Sequence, residues 1–268
     1  MPYAQVNGIQ LYYELHGEGE PLVLIPGFGT GRWLWFKQAD AFADQFRTIV
    51  FDPRGVGNSE EADGQLTIRA MADDVAGLLS ALGIERAHVL GVSFGGFVAQ
   101  EFALSYPQAV RRLVLCCTSL GGARHLSARA LQAVASTRNL NSEERTRRNL
   151  LKSFSPKFVT ERPEEVGKVI GLRLRNPVSD QTHIGQLQAA AAFDAEARIS
   201  RIEAPTLVIT GDEDAIVTAG NARPLAARIA RAKLLVIEGA GHLVFIERAE
   251  EFNRSVVEFF SEPHQTQS

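Results

Sequence analysis

The stretch Ala87-His88-Val89-Leu90-Gly91-Val92-Ser93-Phe94-Gly95-Gly96-Phe97-Val98-Ala99-Gln100-Glu101-Phe102-Ala103 decides the fold of this chain. Residues 87–90 form a short apolar run rich in Val and Leu, small residues follow, and from Gly96 onward apolar residues recur at helical spacing. That order reads as strand, sharp turn, helix. Glycines on both sides of Ser93 permit a turn tight enough to strain the serine backbone and push its hydroxyl above the sheet edge. Gly-x-Ser-x-Gly alone also falls in ordinary turns by chance. The strand before it and the helix after it are the context in which the pattern presents a nucleophile.

Outward from this turn, other apolar runs end in suspicious loops. Pro21 to Ile25 reads as a strand covered on both faces and runs into Pro26-Gly27-Phe28-Gly29-Thr30-Gly31. Loops after central parallel strands lie where ligands bind, so backbone N–H groups here can face an oxyanion, with a plain strand-to-helix linker as the alternative. The spacing matches neither phosphate-binding glycine pattern. Thr48 to Phe51 is a further strand, followed by Asp52-Pro53-Arg54-Gly55-Val56-Gly57-Asn58-Ser59, a fixed turn across which Asp52 and Arg54 are expected to pair. Ile9 to Leu15 alternates and, with Asn7-Gly8 before it, reads as the second strand of a hairpin and as a sheet edge. Thr67 to Leu82 reads as a helix with Thr67 as N-cap and Gly83 at its end, its Asp73 and Asp74 solvated.

Leu113 to Cys117 is another strand. From Gly121 to Ala192 strand runs cease, and helical periodicity is broken at Pro156, Pro163 and Pro177. This predicts a helical insertion over 121–192 in an α/β core made of 1–120 and 193–268. The insertion has more Lys and Arg than Asp and Glu, which is read first as a solvated outer face and second as help for an anionic substrate. Strands resume at Pro205 to Thr210, followed by Gly211-Asp212-Glu213-Asp214, and at Lys233 to Ile237, followed by Glu238-Gly239-Ala240-Gly241-His242. An amphipathic helix from Arg248 to Phe260 closes the fold, and Pro263 to Ser268 reads as a frayed end.

The length of 268 residues suits one α/β domain with a modest insertion. A net charge of −3 provides no basic field for nucleic acid, which leaves small molecules as partners. No run is long and apolar enough for a membrane span and no leader pattern opens the chain, so a cytoplasmic protein is expected, as monomer or homodimer. The adjacent Cys116 and Cys117 point to opposite sides of a strand and are read as unbridged core thiols.

A serine hydroxyl needs an imidazole within reach, and the imidazole needs a carboxylate to hold its tautomer. Ser93, Asp214 and His242 each follow a strand, which puts them at one edge of a parallel sheet in the chain order Ser, Asp, His. His88 lies inside a strand, His16 follows an edge strand, His264 is in the tail, and His125 and His183 fall in the insertion. Asp212 rivals Asp214; the longer reach past Gly211 favours Asp214. An acyl-transfer intermediate also needs two oxyanion donors, for which the N–H groups of Phe28 and Phe94 are the candidates. Their rings, with Trp33 and Trp35, are expected to line an apolar pocket or else to fill core.

Through Pro26-Gly27-Phe28, the 52–59 turn, Gly91 to Gly96, Gly211 to Asp214 and Gly239 to His242, the chain resembles the α/β-hydrolase superfamily along nearly its whole length. Within that superfamily it resembles the branch of enol-lactonases, cofactor-free haloperoxidases and carboxylesterases. The resemblance implies an eight-stranded, mostly parallel sheet, a helical cap after the sixth strand, and Ser93, Asp214 and His242 as a triad. Pro26-Gly27 stands where many members have His-Gly, which leaves the Phe28 donor in place. The expected function is a serine hydrolase of esters or lactones that needs no cofactor or metal. Carbon–carbon bond hydrolysis, perhydrolysis and small-molecule reception by the same fold are the alternatives.

Overall fold

The computed structural model describes residues 2–61, 64–122 and 142–263. The expectations for His125, His264 and the tail beyond Pro263 lie outside the described residues. Each apolar run forms a strand: β1 (Tyr3–Val6), β2 (Ile9–His16), β3 (Glu20–Ile25), β4 (Phe46–Phe51), β5 (Ala87–Val92), β6 (Val110–Cys116), β7 (Thr206–Gly211) and β8 (Ala232–Ile237). They form one sheet in the order β1-β2-β4-β3-β5-β6-β7-β8, parallel from β4 through β8, with β1 and β2 antiparallel to their neighbours. Asn7 (φ 47°) and Gly8 (φ 83°) make the left-handed two-residue turn that the β1–β2 hairpin requires. β2 is not the edge: β1 occupies that place and β2 pairs with β4 on its other side.

Alternation along β3 divides the core. Leu22 and Leu24 point to one face and Val23 and Ile25 to the other, and all four are fully or almost fully buried. Helices α2 (Ile68–Ala81) and α3 (Phe94–Ser105) cover the Val23 face, and α1 (Ala39–Ala43) covers the Leu22 face. Thr67 accepts a hydrogen bond from the Ala70 N–H at the start of α2, a cap worth about 1 kcal/mol. Asp74, on α2, is not solvated: it is 2 % exposed and grips Arg54 at 2.5 and 2.6 Å. Asp52 pairs instead with Arg32 and accepts from the N–H groups of Arg32 and Asn58, so the expected Asp52–Arg54 pair does not form. Removing one partner of the buried Arg54–Asp74 pair costs ~3–5 kcal/mol, because the other charge stays behind without compensation.

Between β6 and β7 the described chain is helical: α4 (Ser142–Ser153), α5 (Pro156–Glu161), α6 (Pro163–Arg175) and α7 (Asp180–Ala192). Pro156 and Pro163 open α5 and α6, where a missing N–H costs nothing. Gly121 and Asp194 form an isolated antiparallel bridge, so the chain leaves the sheet and returns to it at one point. After β7 come α8 (Ala222–Arg228), α9 (Val244–Glu247) and α10 (Ala249–Ser261). α8 packs on the Val23 face and α10 on the Leu22 face.

Candidate active site

Ser93 sits between β5 and α3 with φ 56° and ψ −117°, a conformation that disfavours a side chain and is held here by its surroundings. Two glycines make this turn possible. A Cβ on Gly91 would lie 2.3 Å from the Gly95 carbonyl oxygen, and one on Gly95 would lie 2.3 Å from the Ile25 carbonyl oxygen. The Thr118 hydroxyl donates to the Ser93 carbonyl at 2.8 Å, which ties the turn to the end of β6.

His242 lies on the loop after β8 and is 7 % exposed. Its Nε2 is 2.9 Å from the Ser93 Oγ and its Nδ1 is 2.8 Å from Asp214 Oδ2. The other Asp214 oxygen accepts from the N–H groups of Ile216 and Val217, each at 2.8 Å. The carboxylate is therefore aimed from both ends, and an imidazole so held can take the hydroxyl proton through Nε2. Asp212 is elsewhere: it accepts from the Gly239 N–H at 2.7 Å and staples the β7 loop to the β8 loop.

Phe28 follows β3 at the same sheet edge, and its ring meets the Phe94 ring edge-on at 6.0 Å. Among the described residues neither N–H has a protein acceptor: Phe28 lies in a loop and Phe94 is the first residue of α3. The α3 dipole adds positive potential at Phe94. Of the two placements open for the tryptophans, lining a pocket or filling core, the structure shows the second for Trp35. Trp35 is fully buried and packs on Phe245 at 5.4 Å in the core of the opposite sheet face, and Trp33 is half-buried against the same cluster. Trp35 fills core and does not join Phe28 and Phe94.

Residues from the helical segment complete the surroundings. Gln186, on α7, accepts from the Gly29 N–H at 2.7 Å, and the His183 ring stands edge-on to Phe28 at 4.9 Å. The Arg173 guanidinium, on α6, lies where a Cβ on Gly29 would come within 2.8 Å of it, and it donates to the Asn176 carbonyl. Burial lowers its pKa, and among the described residues no carboxylate pairs with it. Burial, followed by the charges of Arg173 and Arg145, also lowers the pKa of His183. Sequence reading found none of these three, since a helix in an insertion carries no motif that says which side chain reaches the sheet.

Among the described residues one group of metal-ligating types gathers, Cys117 with Asp214 and His242, their donor atoms within 4.8 Å of one another. The donor set fits hydrogen bonding better than a metal. Asp214 and His242 already satisfy each other, and the Cys116 thiol, burial and the Asp214 charge push the Cys117 thiol well above its ordinary range.

A mostly parallel eight-stranded sheet, with Ser, Asp and His meeting on the loops after three of its strands, defines an α/β enzyme of the hydrolase type. The chain belongs to the α/β-hydrolase family, whose model for the α/β hydrolase fold matches residues 20–249. It is 30% identical over 98% of its length to a protein of Azorhizobium caulinodans provisionally assigned as the carbamate hydrolase RutD, covering 99% of that protein. It is 31% identical to the 2-hydroxy-6-oxo-6-phenylhexa-2,4-dienoate hydrolase of Comamonas testosteroni, over 93% of this chain and 90% of the other. The crystal structure of the enol-lactonase from Burkholderia xenovorans LB400 superposes with a TM-score of 0.86 at 30% identity, covering 97% of this chain and 100% of that one. Among the described residues no helix is long and apolar enough to cross a membrane.

Proposed function

We propose that the protein is a serine hydrolase that cleaves carboxylic esters or lactones through an acyl-enzyme, with residues 121–192 acting as a cap over a core made of 1–120 and 193–268. The observation that carries this reading is the hydrogen-bonded chain from Ser93 Oγ through His242 to Asp214, at 2.9 and 2.8 Å, starting from a strained turn. In this reading His242 Nε2 takes the hydroxyl proton as Ser93 attacks the carbonyl, and Asp214 stabilises the imidazolium. The amides of Phe28 and Phe94 receive the oxyanion. The imidazolium then protonates the leaving alkoxide. In the second half water gives its proton to His242, attacks the acyl carbonyl, and the acid departs as Ser93 Oγ recovers the proton.

Arg173 refines the substrate. Among the described residues most basic side chains of the cap, Arg147, Arg162 and Arg175 among them, are exposed, whereas Arg173 is half-buried beside the oxyanion loop. A guanidinium there favours an ester or lactone bearing a carboxylate near the scissile bond. Carbon–carbon cleavage is the second reading, supported by the similarity to the Comamonas enzyme. The test is a panel of neutral esters, carboxylate-bearing esters and lactones, and a vinylogous diketone, run on the wild type and Ser93→Ala. Ester or lactone turnover that Ser93→Ala abolishes, with the fold intact by circular dichroism, is the expected result. Turnover of the diketone alone favours the second reading, and activity retained by Ser93→Ala overturns both.

A further inference from the structure

We propose that Glu247 is a positioning residue for His242, acting through the loop before that histidine and through the cap, so that the cap supports the general base as well as covering the substrate. The inference rests on the reading of Ser93 and His242 as nucleophile and base.

Glu247 ends α9 and is 8 % exposed, yet no lysine or arginine forms an ion pair with it among the described residues. Its oxygens are filled by donors from two directions. From the base loop, the Gly241 N–H donates to Oε1 at 2.9 Å. From the cap, the Ser155 hydroxyl donates to Oε2 at 2.6 Å and the Ser155 N–H lies 3.2 Å from both oxygens. Ser155 is also the N-cap of α5, accepting from the Phe158 N–H, so the carboxylate is joined to the start of a cap helix. On the far side of the histidine, the Leu243 N–H donates to the Ser153 carbonyl at 3.1 Å. His242 is thus bracketed. The residue before it reaches residue 155 through Glu247, and the residue after it reaches residue 153 directly.

Contact between loop and cap is close as well as polar. A Cβ on Gly241 would lie 2.7 Å from the Ser155 nitrogen and 2.8 Å from Glu247 Oε1. Burial raises the Glu247 pKa while the Ser155 and Gly241 donors oppose the rise. The Arg248 charge also acts on this carboxylate, but among the described residues no cation pairs with it directly, and an apolar side chain would fill the space more stably. What the carboxylate offers is direction: two acceptor oxygens fix two segments relative to each other. Displacement of a reacting group by about 1 Å lowers rates by up to ~100-fold, which sets the scale of what such a brace protects.

The test uses the full-length protein and an ester whose turnover by the wild type Ser93→Ala abolishes. Glu247→Ala is expected to lower kcat by ~10–100-fold with KM nearly unchanged, and Glu247→Gln, which keeps one acceptor, to recover part of that loss. Ser155→Ala, on the cap, should reproduce a smaller kcat loss in the same direction. The low-field proton resonance of His242 Nδ1–H against Asp214 should shift or broaden in Glu247→Ala. That readout needs no substrate, so it tests the brace even if the hydrolytic reading fails. Glu247→Ala with a lower Tm but unchanged kcat and unchanged resonance overturns the proposal. A kcat loss in Glu247→Ala with none in Ser155→Ala overturns the part assigned to the cap. If Glu247→Ala does not fold, Glu247→Gln and Ser155→Ala decide by the same two readouts.

Discussion

The loops at the carboxyl edge of the sheet and the helical segment between β6 and β7, the proposed cap, meet at the loops after β3 and β8, yet they are held by different means. On the sheet side each group sits a few residues beyond a parallel strand: Ser93 directly after β5, Asp214 three residues after the last residue of β7, His242 five residues after β8. Strand register then fixes where the loop begins, and short chains leave little freedom beyond it. On the cap side the contributions are single side chains reaching down from helices: Gln186 to Gly29, Arg173 beside the same loop, Ser155 to Glu247. In the proposed reading the sheet edge supplies the reacting groups, and the helical segment supplies their alignment and the charge that a substrate meets.

This contrast can be broken by substitution. The largest effect is expected on the sheet side, where Asp214→Asn should lower kcat by ~10⁴ with the protein still folded, because the imidazole loses its orienting acceptor. A cap substitution matching that loss would erase the distinction. Next in size is Arg173→Gln. It should reduce kcat/KM for a carboxylate-bearing ester by ~10–100-fold, the worth of a charge-assisted hydrogen bond, and leave a neutral ester of the same length nearly untouched. Equal losses on both substrates would remove the anion preference assigned to Arg173. The smallest effect is expected from Gln186→Ala, which strands the Gly29 N–H. Leaving it unpaired costs ~1–3 kcal/mol and lowers Tm by several degrees, with a loss in kcat/KM below that of Arg173→Gln on its anionic substrate. Unchanged Tm and kcat/KM would show that α7 rests on the Gly29 loop without bracing it.

Legibility divides along the same line. The strands, the turn at Ser93 and the helix capped by Thr67 were readable because each is dictated within a dozen residues, by apolar runs, glycines and a hydroxyl before a helix. Asp214 and His242 were readable by the rule that loops after parallel strands share an edge. Errors arose where a local rule met a distant partner. Asp52 and Arg54 are near in sequence, but Arg32 arrives from the loop after β3 and Asp74 from α2 to take them separately. Trp35 could be read as pocket or core because it follows the glycine-rich loop after β3, and the short helical turn Arg32–Trp35 settles it onto Phe245 in the opposite core. β2 looked like an edge because alternation shows one wet face without saying what lies beside the strand.

What the sequence determined by itself was the periodicity of the chain and the places where it had to turn, since backbone sterics and the separation of apolar from polar residues act over short range. Which acidic and basic groups became partners, which side chain of the insertion reached Gly29, and how Glu247 came to lie between Gly241 and Ser155 were decided only by tertiary structure. Those contacts join residues far apart along the chain, and their geometry exists only after the sheet has brought its loops to one edge and the helices have packed above them.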